Sequence, residues 1–278
     1  MKGTGTVWKR GKTKVKSIII CAGWVLFYLI IQLAIQLGMS VFAVHQGMDE
    51  DFIVMQWIMN NMLLMTLISN ILFIAAAVLF HKIRKVNVFE EWKMKKIPVK
   101  SYVLPCAAAF LFSMAFSFFT FQTSMENALP IQTSAEYYNE KIPFLGLFLM
   151  IINLLVMAPA AEEVLCRGIM VTQLRKGFSL TAAVVISSVI FGLIHIPAGG
   201  FSLAAAAAVI GIILGTVYVR TGSLYAAFAA HLAANLPDFI FKLFPWMNHI
   251  LKYALAGVFS LLFAGCMLLW MRKDETTE

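Results

Sequence analysis

Six side chains stand where polar groups are costly: Glu162, Glu163, Arg167, His195, His231 and Asn235 all fall inside long apolar runs of this sequence. A charge at the centre of a bilayer costs on the order of 3 kcal/mol on insertion scales, so an ionisable cluster at that depth marks a functional site. Of 14 acidic residues only Glu162 and Glu163 lie deep in such a run, and Arg167 is the one basic residue equally deep. Of 5 histidines, His45 and His81 sit at the ends of runs and His249 near a boundary, which leaves His195 and His231 as the interior pair.

The spacings group them further. Successive residues on a helix turn by about 100°, so residues four apart project from one side. Glu163 and Arg167 are spaced in this way and form a neutralising pair, which leaves Glu162, about 100° further round, as the free carboxylate. Phe191 and His195 share a face by the same rule, as do His231 and Asn235; Phe191 itself reads as packing. A carboxylate and an imidazole around one water are what general-base hydrolysis needs, and an imidazole with a carboxamide can donate to the oxyanion of an attacked carbonyl. Two histidines and a glutamate are also a recognised zinc ligand set, whose bound water would attack instead, and the residues leave both mechanisms open.

These side chains must be positioned by helices in lipid. The chain is 61% hydrophobic and 13% charged over 278 residues, with a mean hydropathy of +0.84; a soluble globule carries about a quarter charged residues. A span needs about 20 apolar residues, and lipid requires it to satisfy its own backbone. Such runs stand at 17–44, 52–80, 101–122, 144–173, 180–197, 200–219, 223–241 and 248–270. The fold expected is an all-α, polytopic helix bundle of about eight transmembrane helices forming one integral membrane domain over 1–278, without a cleaved signal. The first run exceeds one crossing, so its amino end should lie along the interface or the helix should tilt. Counting inward at about 1.5 Å per residue from Lys176, Ser179 and Arg220 puts Glu163, His195 and His231 at roughly 20, 24 and 17 Å, depths at which they can meet near mid-membrane.

The net charge of +8 is spread by membrane side rather than gathered on one recognition element, so nucleic acid is excluded as a partner. Lys2 to Lys16, Lys82 to Lys100, Arg175 with Lys176, Arg220, and Arg272 with Lys273 fall at every second boundary; the other breaks carry Asp49, Glu50 and Asp51, or Glu126, Glu136 and Glu140. The positive-inside rule then places both termini in the cytoplasm, as an even span count also requires. The basic break at 81–100 reads as an interfacial helix around Phe89, Trp92 and Met94, able to meet anionic lipid head groups; 123–143 reads as an external segment. Cys21, Cys106, Cys166 and Cys266 lie in apolar runs without CxxC spacing and are packing residues. Ala204 to Ala208, Gly211 and Gly215, and the alanines of 226–234 should let spans six and seven pack centrally. No internal repeat of the kind found in many transporters is visible.

Glu162 to Arg167 matches EExxxR, Phe191 to His195 matches FxxxH, and His231 to Asn235 matches HxxxN. In this order they resemble the CPBP family, the CAAX prenyl endopeptidase and Abi intramembrane proteases, over about residues 140–245. The resemblance implies an intramembrane endopeptidase of the CAAX prenyl protease 2 type, acting on a lipidated or membrane-associated peptide or protein. It implies that Glu162 and His195 activate water, that His231 and Asn235 form the oxyanion site, and that Glu163 and Arg167 organise the fourth span. The family is described both as metalloprotease and as metal-free glutamate peptidase, so zinc stands as a conditional cofactor. Simple loops point to a bacterial plasma membrane, and there to a leader peptide or anchored protein rather than a CAAX tail. The alternatives are a non-catalytic bacteriocin-immunity or scaffold protein, and a carrier using Glu162 and Glu163 as a proton relay. No HExxH, GxSG or paired YD and GxGD motif supports another intramembrane protease class.

Overall fold

The computed structural model describes residues 4–48, 51–120, 129–240 and 247–275. Lys2, Asp49, Glu50 and Glu126, which enter the charge argument, lie outside them. Among the described residues every element is a helix.

Each of the eight apolar runs holds helix, and among the described residues six helices are long and apolar enough to cross a membrane: Thr13–His45, Met62–Ile83, Lys100–Thr120, Leu145–Leu174, Ile196–Thr221 and His249–Arg272. The chain is thus an integral, multi-pass membrane protein. The two remaining runs form shorter helices, Leu180–Leu193 of 14 residues and Leu224–Asn235 of 12, about 21 and 18 Å long at 1.5 Å per residue and so short of a full crossing by themselves. We label the helices α1 (Thr4–His45), α2 (Asp51–Asn60), α3 (Met62–Ile83), α4 (Val88–Glu91), α5 (Lys100–Thr120), α6 (Leu129–Lys141), α7 (Leu145–Leu174), α8 (Leu180–Leu193), α9 (Ile196–Thr221), α10 (Leu224–Asn235), α11 (Pro237–Ile240) and α12 (His249–Glu275). α1 is one unbroken helix of 42 residues, about 63 Å long and roughly twice a hydrocarbon core, so no bend separates an interfacial amino end from the span.

The expected interfacial helix at 81–100 is corrected by the structure. Only one turn, α4, forms there, started by the Asn87 side chain accepting from the Phe89 N–H at 3.0 Å. Phe89 is exposed, but Trp92 is buried, with its ring under Gly168, where a Cβ would meet it at 3.1 Å. The segment is a strap over the bundle end: the Leu224 N–H donates to the Lys93 carbonyl at 2.9 Å, and the Ser223 hydroxyl, which also caps α10, donates to the Lys95 carbonyl. The buried Trp92 ring ties this segment to the bundle, although its Nε1–H has no hydrogen-bond partner among the described residues. Burial and the neighbouring Arg175 guanidinium hold the Lys93 ammonium below the usual lysine range.

Glu91 meets Lys176 at 3.7 Å, Lys14 lies over the Phe178 ring, and Arg220 over the Trp270 ring, so both outer helices bring their basic ends to the strap end of the bundle. α6 packs at the other end, where Ser134 donates to the Asn60 carbonyl at 2.7 Å and Tyr138 to Asn61 at 2.8 Å.

α9 and α10 are central, as the small residues predict, yet the α9 glycines serve α8 instead. A Cβ at Gly211 would lie 2.9 Å from that of Ser188, and one at Gly215 2.7 Å from Val184. A Cβ at Gly192 on α8 would lie 2.5 Å from the Ala204 carbonyl oxygen. The two helices therefore touch backbone to backbone. All four cysteines are free, and Cys21, Cys166 and Cys266 are buried.

Candidate active site

The site begins with an irregular helix. α7 widens into π-helical turns at Ile152–Met157 and Val164–Val171, on either side of the six residues that end in Glu162 and Glu163. Pro159 follows the first of them; without an N–H it cannot complete an ordinary helical ladder. Wide turns free carbonyls that side chains then use, and they recur at functional sites. Here Asn235 donates Nδ2–H to the Leu154 carbonyl at 2.8 Å and Ser187 donates to the Cys166 carbonyl at 3.0 Å. The π turns thus attach α10 and α8 to α7 on either side of the glutamates.

Glu163 and Arg167 meet at 2.6 Å, both almost wholly buried, and Arg167 donates its other nitrogen to the Gly211 carbonyl at 2.7 Å. Arg167 also lies over the Phe191 ring, 5.3 Å from its centre. A buried charge must be paired and hydrogen-bonded, and the guanidinium fork joins α7 to α9 through both contacts. His231 stands between the two carboxylates, its Nδ1 2.9 Å from Glu163 Oε1 and its Nε2 3.5 Å from Glu162 Oε2. Glu163 Oε2 is buried and has no hydrogen-bond partner among the described residues.

His195 ends α8 and starts α9. Its Nδ1 lies 2.7 Å from the Phe191 carbonyl, which can only accept, so Nδ1 carries the hydrogen and Nε2 keeps its lone pair. Phe191 is 2% exposed and separates the two imidazoles, with ring centres 4.6 Å from His195 and 5.7 Å from His231. Its packing role orients both histidines.

Glu162, His195, His231 and Asn235 line one cavity of about 250 Å³. Glu163 and Arg167 stand behind it. Charged residues alone do not account for its walls. Tyr28 from α1, Thr66 and Asn70 from α3, and Asn153 from the first π turn also line it. They went unread in the sequence, although a carboxamide deep in an apolar run is a milder form of the signal that singled out the glutamates.

No group of three His, Cys, Asp or Glu side chains among the described residues is arranged to hold a metal ion. His231 has both nitrogens turned to carboxylates, and His195 Nδ1 is taken by a carbonyl. No step below passes through a metal.

Residues 144–237, about a third of the chain, match the family model described as type II CAAX prenyl endopeptidase Rce1-like. Over that segment the chain is similar to the CPBP, or CAAX protease, family. The matched segment holds all three motifs and the whole of α7 to α10, and at family level it denotes an intramembrane endopeptidase. Tyr28, Thr66 and Asn70 lie outside it, so part of the cavity wall comes from beyond the CPBP segment. No curated protein and no solved structure matches the chain.

Proposed function

We propose that this chain is an intramembrane endopeptidase in which Glu162 is the general base. The observation that carries the reading is the placement of Glu162, the cavity-facing carboxylate, beside His195, His231 and Asn235, with Glu163 committed to Arg167 behind it. Glu162 takes a proton from a water in the cavity, and His195 Nε2 accepts the water's other hydrogen and orients it. The water oxygen bonds to the substrate carbonyl carbon, and the carbonyl electron pair moves to its oxygen. Asn235 uses one N–H on Leu154 and has a second for that oxyanion. His231, 3.5 Å from Glu162, completes the oxyanion site beside Asn235. Glu162 then passes its proton to the nitrogen as the C–N bond breaks and the oxyanion's electron pair re-forms C=O, leaving a carboxylic acid, which gives its proton to the new amine.

The substrate class is a membrane-associated or lipidated peptide or protein, and the setting is a plasma membrane of bacterial type with lipids as constant partners. The matched family description is of an endopeptidase and does not favour the bacteriocin-immunity or scaffold alternative.

The test is cleavage of a fluorogenic peptide library by purified protein and by Glu162→Ala and His195→Ala, with and without chelator. A positioned acid or base contributes about 10²–10⁴-fold, so both variants should fall by at least the lower figure. Wild type and variants equally inert on every substrate would refute the reading. Loss of activity with chelator would bring a metal into it.

A further inference from the structure

The cavity has two kinds of wall. Alanines of α9 and the rings of Phe112 and Phe116 form an apolar side. The same lining includes a chain of hydrogen bonds that joins three helices. Tyr28 donates to Asn70 Oδ1 at 3.2 Å, Asn70 Nδ2 to Asn153 Oδ1 at 3.5 Å, Asn153 Nδ2 to Thr66 at 2.5 Å, and Thr66 to the Met62 carbonyl at 2.9 Å. Every donor points the same way, so each carboxamide has a fixed orientation. Tyr28, Asn70 and Asn153 are at least 95% buried. Each carboxamide spends one N–H in the chain and has a second that the chain does not use.

An isoprenoid against this wall would strand those groups dry, and each buried polar group left without a partner costs roughly tenfold in affinity or more. Charge gives a second constraint. Among the described residues the cavity lining carries the Glu162 carboxylate and no Lys or Arg. Arg167, just behind, is spent on Glu163 and Gly211. A CAAX motif ends at the chain terminus, so its cleavage site lies a few residues from a free carboxylate, which this lining would repel.

Resting on the endopeptidase reading, we infer that the cavity takes an internal, unlipidated stretch of polypeptide, with an uncharged polar side chain beside the cut bond docked on Asn70 and Asn153. The apolar wall holds the neighbouring aliphatic side chains. Tyr28, Thr66 and Asn70 lie outside the matched segment, so this preference belongs to the present chain rather than to its family motifs.

The probes are three fluorescein-labelled peptides of equal length. One has a central Gln-Ser and an amidated end, and the second has Leu-Leu in its place. The third ends in S-farnesylcysteine and three further residues with a free carboxylate. Binding is measured by anisotropy on the full chain in detergent, in a Glu162→Gln background that does not turn the peptides over, and cleavage is measured on wild type. The Gln-Ser peptide should bind about tenfold tighter than either other, which one or two hydrogen bonds supply. Asn70→Leu should erase that preference. Tyr28→Phe, which keeps shape and removes only the hydroxyl that orients Asn70, should reduce it about threefold without changing Leu-Leu binding. A merely structural defect would weaken all three alike. Tightest binding of the farnesylated peptide, equal losses for all three in Asn70→Leu, or no binding of the Gln-Ser peptide would overturn the inference. Selective binding of the Gln-Ser peptide with no cleavage of any would refute the endopeptidase reading and leave this one standing; preferential cleavage of the farnesylated peptide would do the reverse.

Discussion

Arg167 carries more of this site than its distance from the cavity implies. It neutralises Glu163, joins α7 to the Gly211 carbonyl on α9 and lies on the Phe191 ring that separates the two histidines. Removing one partner of a buried ion pair costs about 3–5 kcal/mol, because the other charge is left alone in a low dielectric. Arg167→Met should therefore lower the midpoint of thermal unfolding in detergent by several degrees and reduce hydrolysis with it. Arg167→Lys should lose most of the same stability, since a single ammonium cannot reach two acceptors in a fork. Glu162→Gln is the contrast. Its side chain is 15% exposed with one contact at 3.5 Å, so the midpoint should stay within a few degrees while cleavage falls about 10²-fold or more. Equal loss of stability in Arg167→Met and Glu162→Gln would show that the two carboxylates are not divided in this way.

The helices hold that geometry by close approach. Gly192 faces the Ala204 carbonyl, and a methyl there would stand 2.5 Å from that oxygen and 2.9 Å from the Ala208 Cβ. A backbone oxygen cannot rotate aside, so Gly192→Ala must push α8 from α9, and overpacking of this kind costs about 1–3 kcal/mol. His195 sits where those helices join, so activity should fall together with the unfolding midpoint. Gly23→Ala and Gly38→Ala are the controls: nothing lies within 4 Å of an added Cβ at either position. Both lie inside α1, where alanine should gain about 0.5–1 kcal/mol over glycine. A stabilised Gly192→Ala would mean that α8 and α9 can repack.

At the scale of the molecule, the strap and α6 mark opposite ends, and the strap end gathers the basic residues. The positive-inside rule predicts that this end faces the cytoplasm. Lys96 and Glu140 are both exposed, which makes them reporters for the two faces. A membrane-impermeant maleimide should label Glu140→Cys in intact cells and Lys96→Cys only after permeabilisation; the opposite pattern would invert the topology. The buried native cysteines should stay unlabelled in both.

Sequence alone determined that the chain is a helical membrane protein, which residues form the ionisable cluster, and that Glu163 pairs with Arg167. Each of these depends on local quantities: run length against bilayer thickness, the cost of a charge in lipid, and the 100° step of a helix. Tertiary structure decided what depends on neighbours distant in the chain. Two of the eight runs, Leu180–Leu193 and Leu224–Asn235, proved short, because irregular turns and the break at His195 take up part of their apolar length. Trp92 entered the bundle because Gly168 leaves room for its ring, 76 positions further along the chain. His231 came between Glu162 and Glu163 only when α10 docked on the π turns of α7. The polar wall from Tyr28 to Asn153 joins helices more than 100 residues apart. A single uncharged side chain in lipid sends too weak a signal to be picked out before its partners are in place.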